Sequence, residues 1–341
     1  MVSLRMFYSR TPKIKDSNGN IKPNSVASLE KVQIGGIDQW IIIRGHDKNN
    51  PILLFLHGGP GSSEGPFTYK YQRDLEKHYI VVNWDQRGAG KSYSKKIPKT
   101  SMNIEQFILD SHELIRLLLN RFNKKKLYLV GHSWGSILGT LVVSRYPELI
   151  QAYIGIGQVV NILDNEKVSY KYTIDQAKER GNKKALKQLK KLEPYPEKDL
   201  NDTKAFRKQR KWLTKFGGVM HNGTSWWPYI KIALGSPEYT IKDMIKFVGG
   251  MKFSIKTMWT HLFEIDFPKQ IPELKVPVYI CMGRYDYNTP FELAEKYFNQ
   301  LKAPKKKFIW FEDSAHILNF EESEKFNEFL INVVLPETAT S

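Results

Sequence analysis

A chain of 341 residues with 41% hydrophobic and 26% charged side chains has the makeup of a folded globular protein, which excludes a disordered bulk. No apolar run reaches the roughly 18 residues of a membrane span, and a single cysteine, Cys281, excludes an internal disulfide and a cysteine-built metal site. The net charge of +17 admits nucleic acid, an anionic membrane surface or acidic ligands. Lys far outnumbers Arg and no Arg–aromatic cluster accompanies it, so the expectation is a lysine-rich solvated surface and no nucleic-acid partner; a membrane surface is open but unsupported.

Residues 1–30 read as an extended lead-in with turn signals at Ser17-Asn18-Gly19-Asn20 and Lys22-Pro23-Asn24-Ser25. The first ten residues lack the apolar core and cleavage site of a secretion signal. The expected location is therefore the cytoplasm, the alternative being a membrane anchor ahead of Met1, since the lead-in looks like a linker. Strand-like runs at 30–34 and 39–44 flank Gly35-Gly36 as in a hairpin. Continuous apolar runs follow at 52–56, 79–84, 127–130, 153–156, 278–282 and 307–311. Such runs mark strands buried on both faces, as in parallel sheets. Apolar residues at helical spacing fill 104–122, 136–146 and 291–301. The alternation predicts an α/β fold, a mostly parallel sheet with helices on both faces. The rhythm breaks over residues 158–266, helical in pattern, without a buried-strand run and carrying more than half of the excess charge. The expected division is a lead-in (1–30), a core (31–157 and 267–341) and an inserted helical cap (158–266).

Gly131-His132-Ser133-Trp134-Gly135 fits G-x-S-x-G between a strand and a helix. A serine on so tight a turn needs glycine neighbours, and the following helix N-terminus adds positive potential where negative charge develops. Ser133 is the candidate nucleophile. His57-Gly58-Gly59-Pro60-Gly61 follows a buried strand, and acyl transfer needs two backbone N–H donors for its oxyanion; Gly59 and Trp134 are the candidates. An acid and a base should follow in chain order. Asp286 and His316 each lie just past an apolar strand, where open α/β sheets gather their ligands. Asp313 is too close to His316 in sequence to come from a separate strand. His57 and His132 belong to the loop motifs, and Asp85-Gln86-Arg87-Gly88 reads as a loop bracing the rim.

His57-Gly58-Gly59-Pro60-Gly61-Ser62-Ser63, Asp85-Gln86-Arg87-Gly88 and Gly131-His132-Ser133-Trp134-Gly135-Ser136 together resemble the prolyl aminopeptidase (proline iminopeptidase) family of α/β-hydrolases, over roughly residues 30–335. The resemblance implies an α/β-hydrolase fold with the helical insert as its cap, and hydrolysis of a small-molecule or short-peptide substrate. No metal or organic cofactor is implied. Two departures matter. The family has glycine where His132 stands, a variant widespread among esterases and lipases. It also uses cap glutamates, one in a Trp-Glu pair, to hold the substrate's amino group, and no Trp-Glu pair occurs here. Glu264, with Asp266, is the candidate substitute, cap-to-core salt bridging being the alternative; Trp226 and Trp227 are candidate pocket lining. The expectation is a serine hydrolase of a small amide or ester. Its alternatives are a carboxylesterase-type enzyme and a binding protein on a hydrolase scaffold.

Overall fold

The computed structural model describes residues 8–196, 199, 203–223 and 225–338. Among the described residues eight strands form one sheet: β1 (Val26–Ile34), β2 (Ile37–Gly45), β3 (Ile52–Leu56), β4 (Ile80–Asp85), β5 (Leu127–His132), β6 (Ile150–Ile156), β7 (Val278–Gly283) and β8 (Lys306–Phe311). Their order is β1-β2-β4-β3-β5-β6-β7-β8. The β1–β2 hairpin and the β2–β4 pair are antiparallel; all later pairs are parallel. Every residue of β3, β4, β5 and β7 is buried, the physical reason those segments are apolar without alternation.

The pleat divides those apolar residues between two cores. Leu54, Leu56 and Leu129 point to one face of the sheet. There they meet helices α1 (Ile104–Phe122) and α2 (Trp134–Arg145) through Phe107, Leu114, Leu118, Ile137 and Leu138. Leu53, Phe55, Tyr128 and Val130 point to the other, against Phe326, Leu330 and Val334 of the C-terminal segment. Each fully buried aliphatic side chain contributes about 1.5–3 kcal/mol. Helix α1 starts where the Asn103 side chain accepts from Gln106 N–H and stops at Asn123, in left-handed backbone at φ 50°.

Between β6 and β7 the chain is helical: α3 (Ile162–Glu179), α4 (Lys183–Lys190), α5 (Thr203–Lys215), α6 (Trp227–Gly235) and α7 (Ile241–Met258). An isolated bridge joins Asn161 to Asp266, so the insert leaves and rejoins the sheet at neighbouring points. Ile174, Ala177, Leu189, Trp212 and Phe216 give it an apolar cluster of its own. Helix α8 (Phe291–Gln300) lies between β7 and β8.

Two expectations need correction. The sheet begins at Val26 rather than near residue 30, because the hairpin register runs on to pair Val26 with Gly45. The described part of the lead-in is not a loose linker: Arg10 N–H donates to Pro237 C=O (3.0 Å), and Thr11 donates to Glu238 (3.0 Å). Residues 1–7 lie outside the described residues. No described helix is long and apolar enough to cross a membrane.

Candidate active site

Ser133 stands between β5 and α2 at φ 56°, ψ −117°, a conformation that costs a non-glycine residue on the order of 1–3 kcal/mol. Close packing enforces the turn. A Cβ on Gly135 would lie 1.9 Å from the Leu56 carbonyl oxygen, and one on Gly131 would lie 2.3 Å from the Gly135 carbonyl oxygen. The Ser133 amide is held by the Ile156 carbonyl at the end of β6 (2.9 Å). The turn therefore lifts Ser133 above the carboxyl ends of the strands, at the first turn of a twelve-residue helix. Trp134 already begins α2, two residues earlier than the apolar spacing placed the helix, and its indole donates to Gln86 (2.8 Å).

The glycine loop after β3 lies against this turn: a Cβ on Gly58 would come 3.1 Å from Ser133 Cβ. Neighbouring Gly59 is exposed. The Asp85–Gly88 loop braces it, with Gln86 donating its amide to His57 Nε2 (3.2 Å) and its side chain to the His57 carbonyl (3.1 Å). Arg87 is buried and bidentate on Asp110 (2.8 and 3.0 Å). Asp85 accepts from Tyr239 at the α6–α7 junction (2.6 Å) and from Ser63.

Asp286 and His316 meet across the ends of β7 and β8. The fully buried Asp286 accepts the amides of Asn288 (2.9 Å) and Thr289 (2.8 Å) on Oδ1. Its Oδ2 accepts the Thr289 hydroxyl (2.7 Å) and His316 Nδ1–H (2.9 Å). Asp313 is exposed and offers only its backbone nearby. Burial lowers the His316 pKa below 6.5, Asp286 opposing it and the nearby His132 and Arg210 charges reinforcing it. The ring packs against the end of β6, 2.9 Å from where a Gly157 Cβ would stand, and Ser133 hangs from the preceding carbonyl of that strand. No hydrogen bond joins Ser133 Oγ to His316 among the described residues, although one was expected. Asp286 and Thr289 hold the ring from its Nδ1 side, and catalytic hydrogen bonds of this kind commonly close only when substrate is bound.

A second buried pair lies against the first and has no counterpart in the sequence reading. His132 Nδ1 is 2.6 Å from Glu64 Oε1, and its Nε2 is 3.0 Å from the His316 carbonyl. A carboxyl and a carbonyl flank the two ring nitrogens, an arrangement that favours the doubly protonated, charged form of His132. Burial opposes that charge, but Glu64, the His316 carbonyl and Asp286 together raise the pKa above 6.5. His57 is the contrast: Nδ1 donates to the Gly58 carbonyl (2.8 Å) while Nε2 accepts from Gln86, and burial lowers its pKa. The His132 ring lies 4.9 Å from that of His316.

The candidate substrate contacts are not gathered here. Glu264 is 73% exposed and faces His261 (3.8 Å), Asp266 pairs with Lys269 (2.7 Å), and Trp226 and Trp227 are exposed. A buried cap carboxylate does lie beside Asp286: Glu166 on α3, bound by both terminal nitrogens of Arg210 and by the Tyr195 hydroxyl. Its neighbour Asn165 donates to the Asn288 carbonyl beside Asp286 (3.0 Å). Arg210 Nε is buried without a hydrogen-bond partner among the described residues.

A strained serine on a strand–helix turn, a glycine loop against it and a buried Asp–His pair on the two later strands define one class of protein: the chain belongs to the alpha/beta hydrolase fold family, whose model matches residues 51–323, and is a hydrolase. Within that class it is 37% identical over 304 residues to the probable aminopeptidase YbaC of Bacillus subtilis (strain 168), covering 89% of this chain and 94% of that one. It is 25% identical to a proline iminopeptidase of Heyndrickxia coagulans, over 80% and 87% of the two chains. The likeness to prolyl aminopeptidases read from the motifs is thus borne out. In fold it matches a proline iminopeptidase-related protein of Thermus thermophilus with a TM-score of 0.60 at 20% identity, over 92% and 98% of the chains.

Proposed function

We propose that this hydrolase works through Ser133 and cleaves a small amide or ester by way of an acyl-serine intermediate. The observation that carries the reading is the strained Ser133 set beside an His316–Asp286 pair whose acid is fully buried and held by four donors. His316, kept uncharged at neutral pH by burial, takes the Ser133 proton as Oγ attacks the carbonyl carbon. It then gives that proton to the departing amine or alcohol. Water repeats the sequence on the acyl-enzyme, losing its proton to His316 and releasing the acid. Asp286 holds the Nδ1–H tautomer and stabilises the transient imidazolium. Gly59 and Trp134 supply the backbone N–H groups for the oxyanion.

The relatives' names favour a substrate with a free amino terminus. Against it stands one observation: Glu166, the buried cap carboxylate whose helix reaches the Asp286 loop through Asn165, already carries an internal cation, Arg210. An ammonium brought into a partly dry pocket needs a carboxylate of its own, so the second reading is an ester or an amide without a free amine. Turnover of a proline arylamide, its N-acylated form and a short acyl ester separates the two readings. Preference for the free-amine arylamide supports the aminopeptidase; preference for the ester or the N-acylated arylamide supports the second reading.

A further inference from the structure

Seven of the eleven exposed large apolar side chains among the described residues fall between positions 226 and 248, the other four being Tyr8, Ile21, Leu109 and Tyr285. They are not scattered. On α6, Trp227, Ile230 and Leu234 share one face at i, i+3 and i+7, and on α7 Ile241, Ile245 and Val248 do so at i, i+4 and i+7. Ile245 is 71% exposed and Trp227 57%. Asp243, Gly250, Ser254 and Met258 of α7 are buried, the opposite stripe of the same helix. That inner stripe lies on the rim of the candidate site: Ser254 donates to the Gly88 carbonyl (3.1 Å), and a Cβ on Gly61 would stand 2.7 Å from Ser254 Cβ.

The charge around this face has one sign. Lys231, Lys242, Lys246, Lys252 and Lys256 lie along the two helices, and among the described residues no acidic side chain forms an ion pair with any of them. The two acids in the stretch are both buried, Glu238 beside Thr11 and Ser236 and Asp243 in its bond to Lys91 (2.6 Å). An exposed apolar ridge with tryptophans, fringed by lysines and free of exposed acid, has the composition of a surface that lies in the headgroup layer of an anionic bilayer. A second copy of the chain fits it poorly. A two-fold interface would set this patch against itself, bringing the same lysines together with no acid to answer them. Nucleic acid fits it poorly too, since the stretch has no arginine and its apolar ridge is largely aliphatic.

We propose that the outer face of α6 and α7 is a docking surface for an anionic lipid membrane, holding the protein with the cap helices that cover the rim of its site against the bilayer. This inference is independent of the catalytic reading.

The test is flotation of the full-length protein with vesicles of phosphatidylcholine alone or mixed with phosphatidylglycerol, at low and high salt. Expected are binding to the phosphatidylglycerol vesicles, little to phosphatidylcholine alone, and weakening by salt. Replacing Lys242 and Lys252 with Glu should lower partitioning by more than about tenfold, each lysine counting on the order of fivefold. Ile245→Glu with Leu234→Glu should abolish it, while Leu109→Glu, exposed elsewhere, leaves it unchanged; melting temperatures verify that each variant folds. Absence of binding to phosphatidylglycerol vesicles at low salt overturns the proposal. So do binding that ignores the α6 and α7 substitutions, a concentration-dependent dimer that Ile245→Glu dissociates in place of vesicle binding, and retention of an oligonucleotide in place of vesicles.

Discussion

At Ser133, position and chemistry pull against stability. Its backbone strain would be relieved by glycine and kept by alanine, so Ser133→Gly should melt above Ser133→Ala by thermal denaturation, although neither turns over substrate. The histidine pair makes a sharper prediction. The folded-state pKa of His316 is lowered. The uncharged base is therefore populated above that pKa, and kcat/KM should rise with pH along an acid limb centred below about 6.5. The imidazolium of His132 depresses that limb. Glu64→Gln preserves both hydrogen bonds with a neutral ring, the new amide donating to Nδ1, and should move the limb up. An unmoved limb with wild-type rates at high pH would show that His132 carries no charge. The stability sign runs the other way for His132: its folded pKa is raised, so its contribution is full below about 6.5 and is lost as pH rises through the raised value. None of this was legible from the motif, which marks His132 only as the variable position of the turn. Its partner Glu64 is 68 residues away in sequence, and no local pattern announces such a pairing.

At the scale of elements, two contacts set the site. Helix α2 touches β3 where Gly135 meets the Leu56 carbonyl. Gly135→Ala must push strand and helix apart, which costs typically about 1–3 kcal/mol and often more, and should also displace Ser133; denaturation and turnover should fall together. The rim loop hangs on Asp110, which receives Arg87, Gln39 and Gln106. Asp110→Ala leaves Arg87 buried without its partner and is expected to cost about 3–5 kcal/mol in chemical denaturation. The buried strands were legible because burial on both faces removes polar positions altogether, and the residues past their ends followed from the same reasoning: Asp286 and His316 do meet. What was not legible is how the elements are tied, through long-range polar pairs such as Arg87–Asp110 and Glu166–Arg210, whose members look like ordinary surface charges in sequence. The cap acids are the instructive failure. Glu264 has the right place near the end of the insert, yet it faces solvent, while Glu166, on the buried side of α3, resembles any other helical glutamate in sequence.

For the whole molecule, the cap joins a lysine-rich outer face to a site whose buried acids Asp286, Glu64 and Glu166 each already face a cationic or histidine partner. Everything proposed about the chemistry rests on hydrolysis running through Ser133, and fluorophosphonate labelling followed by peptide mass spectrometry, with turnover of the same protein on the arylamide and ester substrates, measures that at the atom concerned. One label is expected, on Ser133, with Ser133→Ala losing both the label and turnover, the latter by on the order of 10⁶-fold in kcat. Turnover retained in Ser133→Ala, or a label on another residue that removes activity, would contradict it.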